Sequence, residues 1–228
     1  MEKNEVVTTN NSFAVATMSE KAAEQLNGIK LELPQLKIPS AGSTFFEVDE
    51  EPVKELQGVI VLHGPRHVYF DKDYEGDATP PRCSSRDGIR GIWNLDEQIE
   101  GEDGELTGEV EVKNCADCPF SEFGSDKNGR GKACKEKHQV YILLSGRPLP
   151  FSLMLPVSSV GVLNAYATSL FNKGKFLNEV LTSFTLEKAT NKTGIVYSKI
   201  VMKKVRDLDE SELAACARVA ETVKKLDE

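Results

Sequence analysis

The stretch that decides the reading of this chain is Glu109-Val110-Glu111-Val112-Lys113-Asn114-Cys115-Ala116-Asp117-Cys118-Pro119. After a polar, Gly-rich loop it is followed by Gly131-Lys132-Ala133-Cys134, and then by the apolar run Gln139-Val140-Tyr141-Ile142-Leu143-Leu144-Ser145. Glu109–Lys113 alternates weakly and predicts a strand entering Cys115. Gln139–Ser145 predicts a strand leaving Cys134. A thiol-bearing insertion is therefore spliced between two strands of a β domain. Cys115 and Cys118 form a C-x2-C pair, which puts two sulfurs on one tight turn within reach of one ion. Pro80-Pro81-Arg82-Cys83-Ser84-Ser85 brings a fourth thiol from a separate loop.

Working outward, Leu56–His63 and Arg66–Phe70 are apolar runs with β-branched and aromatic residues. Gly64-Pro65 between them predicts a turn or break. Phe151–Leu155 is a further short strand. A helix is expected from Pro156 to about Asn172, with Ser158 as N-cap and Gly174 just past its end. Its core face is Val160, Leu163, Ala167 and Leu170. Val180–Lys188 and Ile195–Val205 are strands joined by the hairpin loop Ala189–Gly194. Asp209–Leu226 is an amphipathic helix with Leu213, Cys216, Ala217, Ala220, Val223 and Leu226 on its apolar face. Met18–Asn27 predicts a short helix behind an N-terminal arm, Met1–Phe13.

The fold expected is α+β: a small, mostly antiparallel, OB-like β-barrel with a zinc-knuckle insertion and a C-terminal helix. Residues 1–30 form the arm and short helix. Residues 31–206 form the β domain, with the insertion at about 83–138, and residues 207–228 form the final helix. That helix docks either on its own barrel or on a second copy as a homodimer.

The chain has 228 residues and a net charge of -8, from 28 Lys and Arg against 36 Asp and Glu. No apolar run approaches the roughly 20 residues that cross a bilayer, and Met1–Ser12 lacks the apolar region of a signal peptide. A cytoplasmic protein with reduced thiols is expected, so clustered cysteines point to metal. The average charge conceals a partition. From Gln139 to Arg206 the only acids are Glu179 and Glu187, against Arg147, Lys173, Lys175, Lys188, Lys192, Lys199, Lys203, Lys204 and Arg206. Asp96–Glu111 is acidic without one Lys or Arg, and the segment after Arg206 is acidic again. This predicts a basic face for an anionic partner, with the acidic end as a competitor for it.

Cys83, Cys115, Cys118 and Cys134 are the expected ligands of a structural Zn²⁺, which prefers four tetrahedral thiolate or imidazole donors. His138 is the alternative fourth ligand, giving C-x2-C-x15-C-x3-H. Cys216 sits alone on a helical apolar face and reads as core. His63 and His67 flank Gly64-Pro65, which prevents a helical H-x-x-x-H, and read as ordinary strand-end residues. The chain has no H-E-x-x-H, P-loop, dinucleotide fingerprint or nucleophile elbow, so no enzyme is expected.

Single strands are held by a basic groove with stacking aromatics. On Ile195–Val205 the even positions Val196, Ile200 and Met202 predict a buried face. The odd positions Tyr197, Lys199 and Lys203 predict a backbone track. Lys204, Lys188 and Lys192 add positive charge. Trp93 is a second stacking candidate, with Phe120, Phe123 and Tyr141 also near the thiols in sequence. These features predict a zinc-stabilised, non-sequence-specific single-stranded-DNA-binding protein. The alternative is a protein–protein module whose acidic insertion mimics DNA toward a host enzyme.

The runs Pro81-Arg82-Cys83-Ser84-Ser85-Arg86-Asp87-Gly88, Cys115-Ala116-Asp117-Cys118-Pro119, Phe123-Gly124-Ser125 and Gly131-Lys132-Ala133-Cys134-Lys135 resemble a group of phage and prophage proteins. Leu149–Leu153, Pro156–Ser159, Ser183–Glu187 and Tyr197-Ser198 are also similar, so the likeness spans roughly Ile60–Val205. Some members resemble single-stranded-DNA-binding proteins of phage replication and recombination. The resemblance implies a phage-encoded metal-binding protein in the host cytoplasm, with single-stranded DNA and host or phage replication or recombination proteins as partners.

Overall fold

The computed structural model describes residues 13, 32–39, 41–72, 80–94, 99–100, 106–107, 110–191 and 194–227. In chain order the strands are β1 (Gln35–Leu36), β2 (Phe46–Val48), β3 (Glu51–Val53), β4 (Glu55–Tyr69), β5 (Cys83–Ser85), β6 (Arg90–Asn94), β7 (Ile99–Glu100), β8 (Leu106–Thr107), β9 (Val110–Asn114), β10 (Lys135–Leu144), β11 (Phe151–Leu155), β12 (Val180–Thr190) and β13 (Val196–Asp207). Two helices, α1 (Val157–Phe171) and α2 (Glu210–Asp227), complete the mixed α+β architecture, with turn helices at Pro119–Ser121 and Leu177–Glu179.

β4 organises the molecule. One of its edges pairs with β10 along nearly its whole length, from Gly58↔Leu144 to Val68↔Lys135. The other edge is shared. β12 takes Glu55–Gly58, and β5 takes His67–Tyr69. From β5 the sheet continues through β6 to β9, and from β10 through β11 to β1. Every pairing of this nine-stranded sheet is antiparallel except β1–β11. Gly58 is required at the β4–β10 contact: a Cβ there would stand 2.7 Å from the Leu143 carbonyl oxygen and 2.8 Å from Ile142.

Both faces of the sheet centre are apolar. Ile60, Val140, Ile142, Phe184, Leu186 and Ile200 face one cluster, which Leu163, Tyr166 and Leu170 of α1 cover. Val59, Val61, Tyr141 and Leu143 face the other, with Phe13, Leu181 and, from α2, Cys216 and Val223. This double burial explains why the expected OB-like barrel does not close. A small barrel turns one face inward and leaves the other to solvent. Here each face needs its own cover, and a helix supplies it. Among the described residues no ladder joins β1, β9 and β13 to one another.

Gly64-Pro65 does not break the strand as expected; β4 runs through it. Residues 59–66 pair on the β10 side only, and a proline is tolerated in such an edge-like stretch. Ser158 is not the N-cap of α1. Pro156 holds that position, and its carbonyl accepts the Ser159 N–H at 2.8 Å. Leu163 and Leu170 are buried and Ala167 packs half-buried against the same cluster, as expected, whereas Val160 is half-buried outside it; Tyr166 joins the buried face, and its hydroxyl hydrogen-bonds Thr182 Oγ1 at 2.8 Å.

The final acidic segment is a docked helix. Asp209 accepts the Glu212 N–H and Glu212 accepts the Asp209 N–H, both at 2.9 Å, as a reciprocal cap. Glu212, itself buried, grips Arg206 at 2.7 and 2.8 Å. Cys216 is core, and α2 packs on β4 of its own chain. The expected helix Met18–Asn27, the arm up to Ser12, Lys192 and most of Asp96–Glu111 lie outside the described residues. No helix among the described residues is long and apolar enough to cross a membrane.

Candidate metal centre and aromatic platform

The second half of β4 carries a lobe built from β5, β6, β9 and the loops between them. Its first loop is set by Asp87. One carboxylate oxygen accepts the N–H groups of Ile89 and Arg90, both at 2.8 Å, and the Ser85 hydroxyl at 3.0 Å. The Arg90 and Ile89 amides hold that carboxyl far below the usual carboxylate range. The turn returns the chain so that Cys83 pairs with Trp93 across β5–β6. Asn114 then starts the knuckle. Its side-chain oxygen accepts the Ala116 N–H at 3.1 Å, and its amide donates to Asp117 at 2.7 Å. The Cys134 N–H closes the loop on the Phe120 carbonyl at 2.8 Å.

These constraints bring Cys83, Cys115, Cys118 and Cys134 to one small cavity of about 10 Å³, roughly the room of one water-sized sphere. Among the described residues, no set of three or more His, Cys, Asp or Glu side chains is already drawn into metal-holding positions. Burial, then the neighbouring Cys118, Cys83 and Cys115, pushes the Cys134 thiol up to about 11. Burial, then Cys115 and Cys118, also raises Cys83, while Lys113 opposes the shift.

Gly91, on β6, is the floor. A Cβ there would lie 2.8 Å from Cys83 Sγ and 3.7 Å from Cys115 Sγ. His67 also lines the cavity, and its Nδ1 is buried without a hydrogen-bond partner. It is thus not an ordinary strand-end residue. His138 is placed elsewhere: its Nε2 lies 3.0 Å from His63 Nδ1, with the rings stacked. Burial first, then His63 and Arg66, lowers His138 to about 4.

Three rings wall the same cavity. Tyr69 and Phe120 stack with centroids 4.2 Å apart. Trp93 stacks on both, at 5.5 and 5.6 Å, with interplanar angles near 20°. Lys113 Nζ stands 4.3 Å from the Trp93 centroid, and the Arg82 guanidinium 5.8 Å. Sequence reasoning singled out Trp93 and Phe120 but missed Tyr69, Lys113, Arg82, Gly91 and the role of His67. One signal was present: a glycine inside the Arg90–Asn94 strand marks a close approach.

β13 shows the alternation expected of it. Ile200 and Met202 are buried with Ser198, Val196 is only half-buried, Lys199 and Lys203 are exposed and Tyr197 is half-buried. The neighbours of these lysines change their meaning. Lys199 lies opposite Glu187, Lys188 opposite Ser198 and Lys203 opposite Ser183. The Ser183 hydroxyl donates to Glu55 at 2.8 Å, and that carboxylate feels Lys203. Lys204 and Lys175 both pair with Asp207, at 2.9 and 3.6 Å. Acids thus stand beside several of these lysines without matching them in number.

No family model, no curated protein and no solved structure matches the chain. The likeness to phage proteins rests on the quoted residues alone.

Proposed function

We propose that this protein binds single-stranded DNA without strong sequence preference, through an aromatic and cationic platform held in shape by a structural Zn²⁺. The observation that carries the reading is the shared wall: Tyr69, Trp93 and Phe120, topped by Lys113 and Arg82, enclose the cavity that Cys83, Cys115, Cys118 and Cys134 line. Stacked rings beside cations fit a strand whose bases are unpaired. A dication lets four mutually repelling thiols ionise together, and its preferred donors are these sulfurs.

Lys199, Lys203, Lys204 and Lys188, with Tyr197, are secondary contacts in this reading: Lys113 and Arg82 also have acids beside them, Glu111 at 3.3 Å and Asp71 at 3.7 Å, but they stand over the stacked rings. A place in phage replication or recombination, in the host cytoplasm and without catalysis of its own, is part of the same proposal.

Trp93 is the single tryptophan, so it reports on its own site. Titration with oligo(dT) of roughly 12 nucleotides should quench its fluorescence. The affinity should fall steeply as salt rises. Metal analysis of the same sample should find one zinc per chain. Unquenched fluorescence with no strand retained at low salt would remove the DNA reading. Absence of bound metal would remove the zinc.

A further inference from the structure

The geometry points to a phosphate-ester site at the other end of the strand order from the thiol lobe, in the cavity of about 480 Å³ where β1, β11 and β10 meet. The site shares no residue with the aromatic platform and does not depend on the single-strand reading. Strand alternation gathers its lining. Gln139 stands opposite Met154, and Gln35 beside Ser152, so Lys137, Gln139, Ser152 and Met154 project to one side. Lys37 follows β1 and lines the same cavity. The backbones of Lys37 and Lys137 are two inter-strand spacings apart, about 10 Å, which two flexible stems can close around one anion.

Neither lysine has an ion pair or hydrogen bond among the described residues, and no described Asp or Glu lines the cavity. This differs from β13, where Glu187, Glu55 and Asp207 stand beside the cations. Lys137 also lies directly opposite Arg66 on β4, and like charges so placed are destabilising. Arg66 donates to the Pro65 and Arg86 carbonyls, so Lys137 is the one that the cavity receives. An anion there would offset the repulsion. Gln139, only 5% exposed, donates to Ser152 Oγ at 2.8 Å. That bond leaves the Ser152 O–H to donate. A half-turn of the carboxamide exchanges the roles: Oε1 accepts the Ser152 proton and Nε2 meets the cavity. In both orientations one neutral donor joins the two ammonium groups, the set that holds an oxyanion. Met154, 39% exposed, and Pro156 add an apolar wall. The volume lies in the range of small-molecule sites, about 300–1,000 Å³, and is more than a bare phosphate fills. The ligand is thus an ester, with its phosphate on the lysines and its sugar carbons against Met154. A nucleotide unit of a bound strand and a free sugar phosphate share that chemistry.

The test uses the full-length chain labelled with ¹⁵N. Deoxyribose 5-phosphate should give saturable shifts of the Lys37, Lys137, Gln139 and Ser152 amides, and chloride at equal ionic strength should give none. Lys137→Gln should weaken the ester roughly tenfold, as expected for one lost charge-assisted hydrogen bond. Lys37→Gln, on an exposed position past the strand end, serves as the second variant. If oligo(dT) moves the same amides and Lys37→Gln lowers its salt slope by about one, the site stands and its phosphate comes from a bound strand. If the sugar phosphate alone moves them, the site stands and its ligand is free. No saturable shift with either ligand overturns the site, and Trp93 quenching by oligo(dT) then still supports the single-strand reading. Inorganic phosphate binding as tightly as the ester overturns it too, as does an affinity that neither lysine variant changes. Shifts at these amides without any Trp93 quenching by oligo(dT) uphold the site and sink the platform.

Discussion

Along Glu55–Gly58, β4 lies between β10 and β12, and from Val59 to Val61 its apolar side chains are buried on both faces, with a helix over each. Along His67–Tyr69 the same strand lies between β10 and β5, and it carries a lobe that has almost no core. Neither apolar cluster contains a residue between Leu62 and Val140. Of the described lobe residues between Pro80 and Cys134, only Ser85, Gly91 and Cys134 are buried. One strand thus spans two ways of holding a chain. The first half removes apolar area from water, at roughly 25 cal/mol per Å². The second relies on turns, ring stacking and a cluster of thiols, to which the proposed Zn²⁺ would add a restraint.

The sharpest way to break this comparison is to remove the proposed Zn²⁺. Chelation, or Cys118→Ser, should abolish amide-exchange protection across Cys83–Asn94 and Val110–Cys134 and leave the helices and β10–β13 protected. Apparent binding free energies of structural zinc are on the order of 10 kcal/mol, so the lobe should lose its fold outright. Unchanged exchange after chelation would show that the turns alone suffice.

The converse change is Phe184→Ala, in the fully buried cluster under α1. It should cost about 3–5 kcal/mol in urea unfolding and leave the Co²⁺–thiolate absorption of cobalt-loaded protein in place. Loss of that band in folded protein would mean the two halves are one cooperative unit.

A smaller effect is expected at the platform. Trp93→Ala should weaken oligo(dT) by about 1–3 kcal/mol. Lys113→Ala should lower the salt slope by about one. Comparable losses from Lys199→Ala would move the binding face to β13.

The smallest effect concerns pH. His138 titrates near 4 in the folded chain, below the ordinary value of about 6.5. The folded state therefore binds fewer protons than the unfolded chain between these values. Its contribution to stability is complete above pH 6.5 and is lost as pH falls toward 4. A His138→Gln variant should show a flatter melting-temperature profile in that window. An identical profile would mean that the His63–His138 contact adds nothing to the body.

The elements of the body were legible because their signals are local. Phe151–Leu155 and the β12–β13 hairpin follow from strand period and turn residues, and the two helices from the spacing of their apolar residues. Gly64-Pro65 misled because a proline is punctuation only where its missing N–H would be needed, and that depends on which edge has a partner. The four cysteines could be named as a set from C-x2-C and its flanking loops. Cys83 was expected over His138, but that residue 138 of β10 meets His63 depends on the pairing of β4 with β10, which lies beyond any local pattern.

By itself the sequence determined the α+β class, the positions of the apolar faces and the thiols that come together, because period, turn chemistry and residue type act over a few neighbours. Only the tertiary structure decided that the sheet stays open, that the β13 lysines stand beside Glu187 and Glu55, and that Tyr69, Trp93 and Phe120 stack around the cysteines. Those outcomes depend on which strands become neighbours. Pairing across tens of residues is set by the burial of both sheet faces at once, which no local window contains.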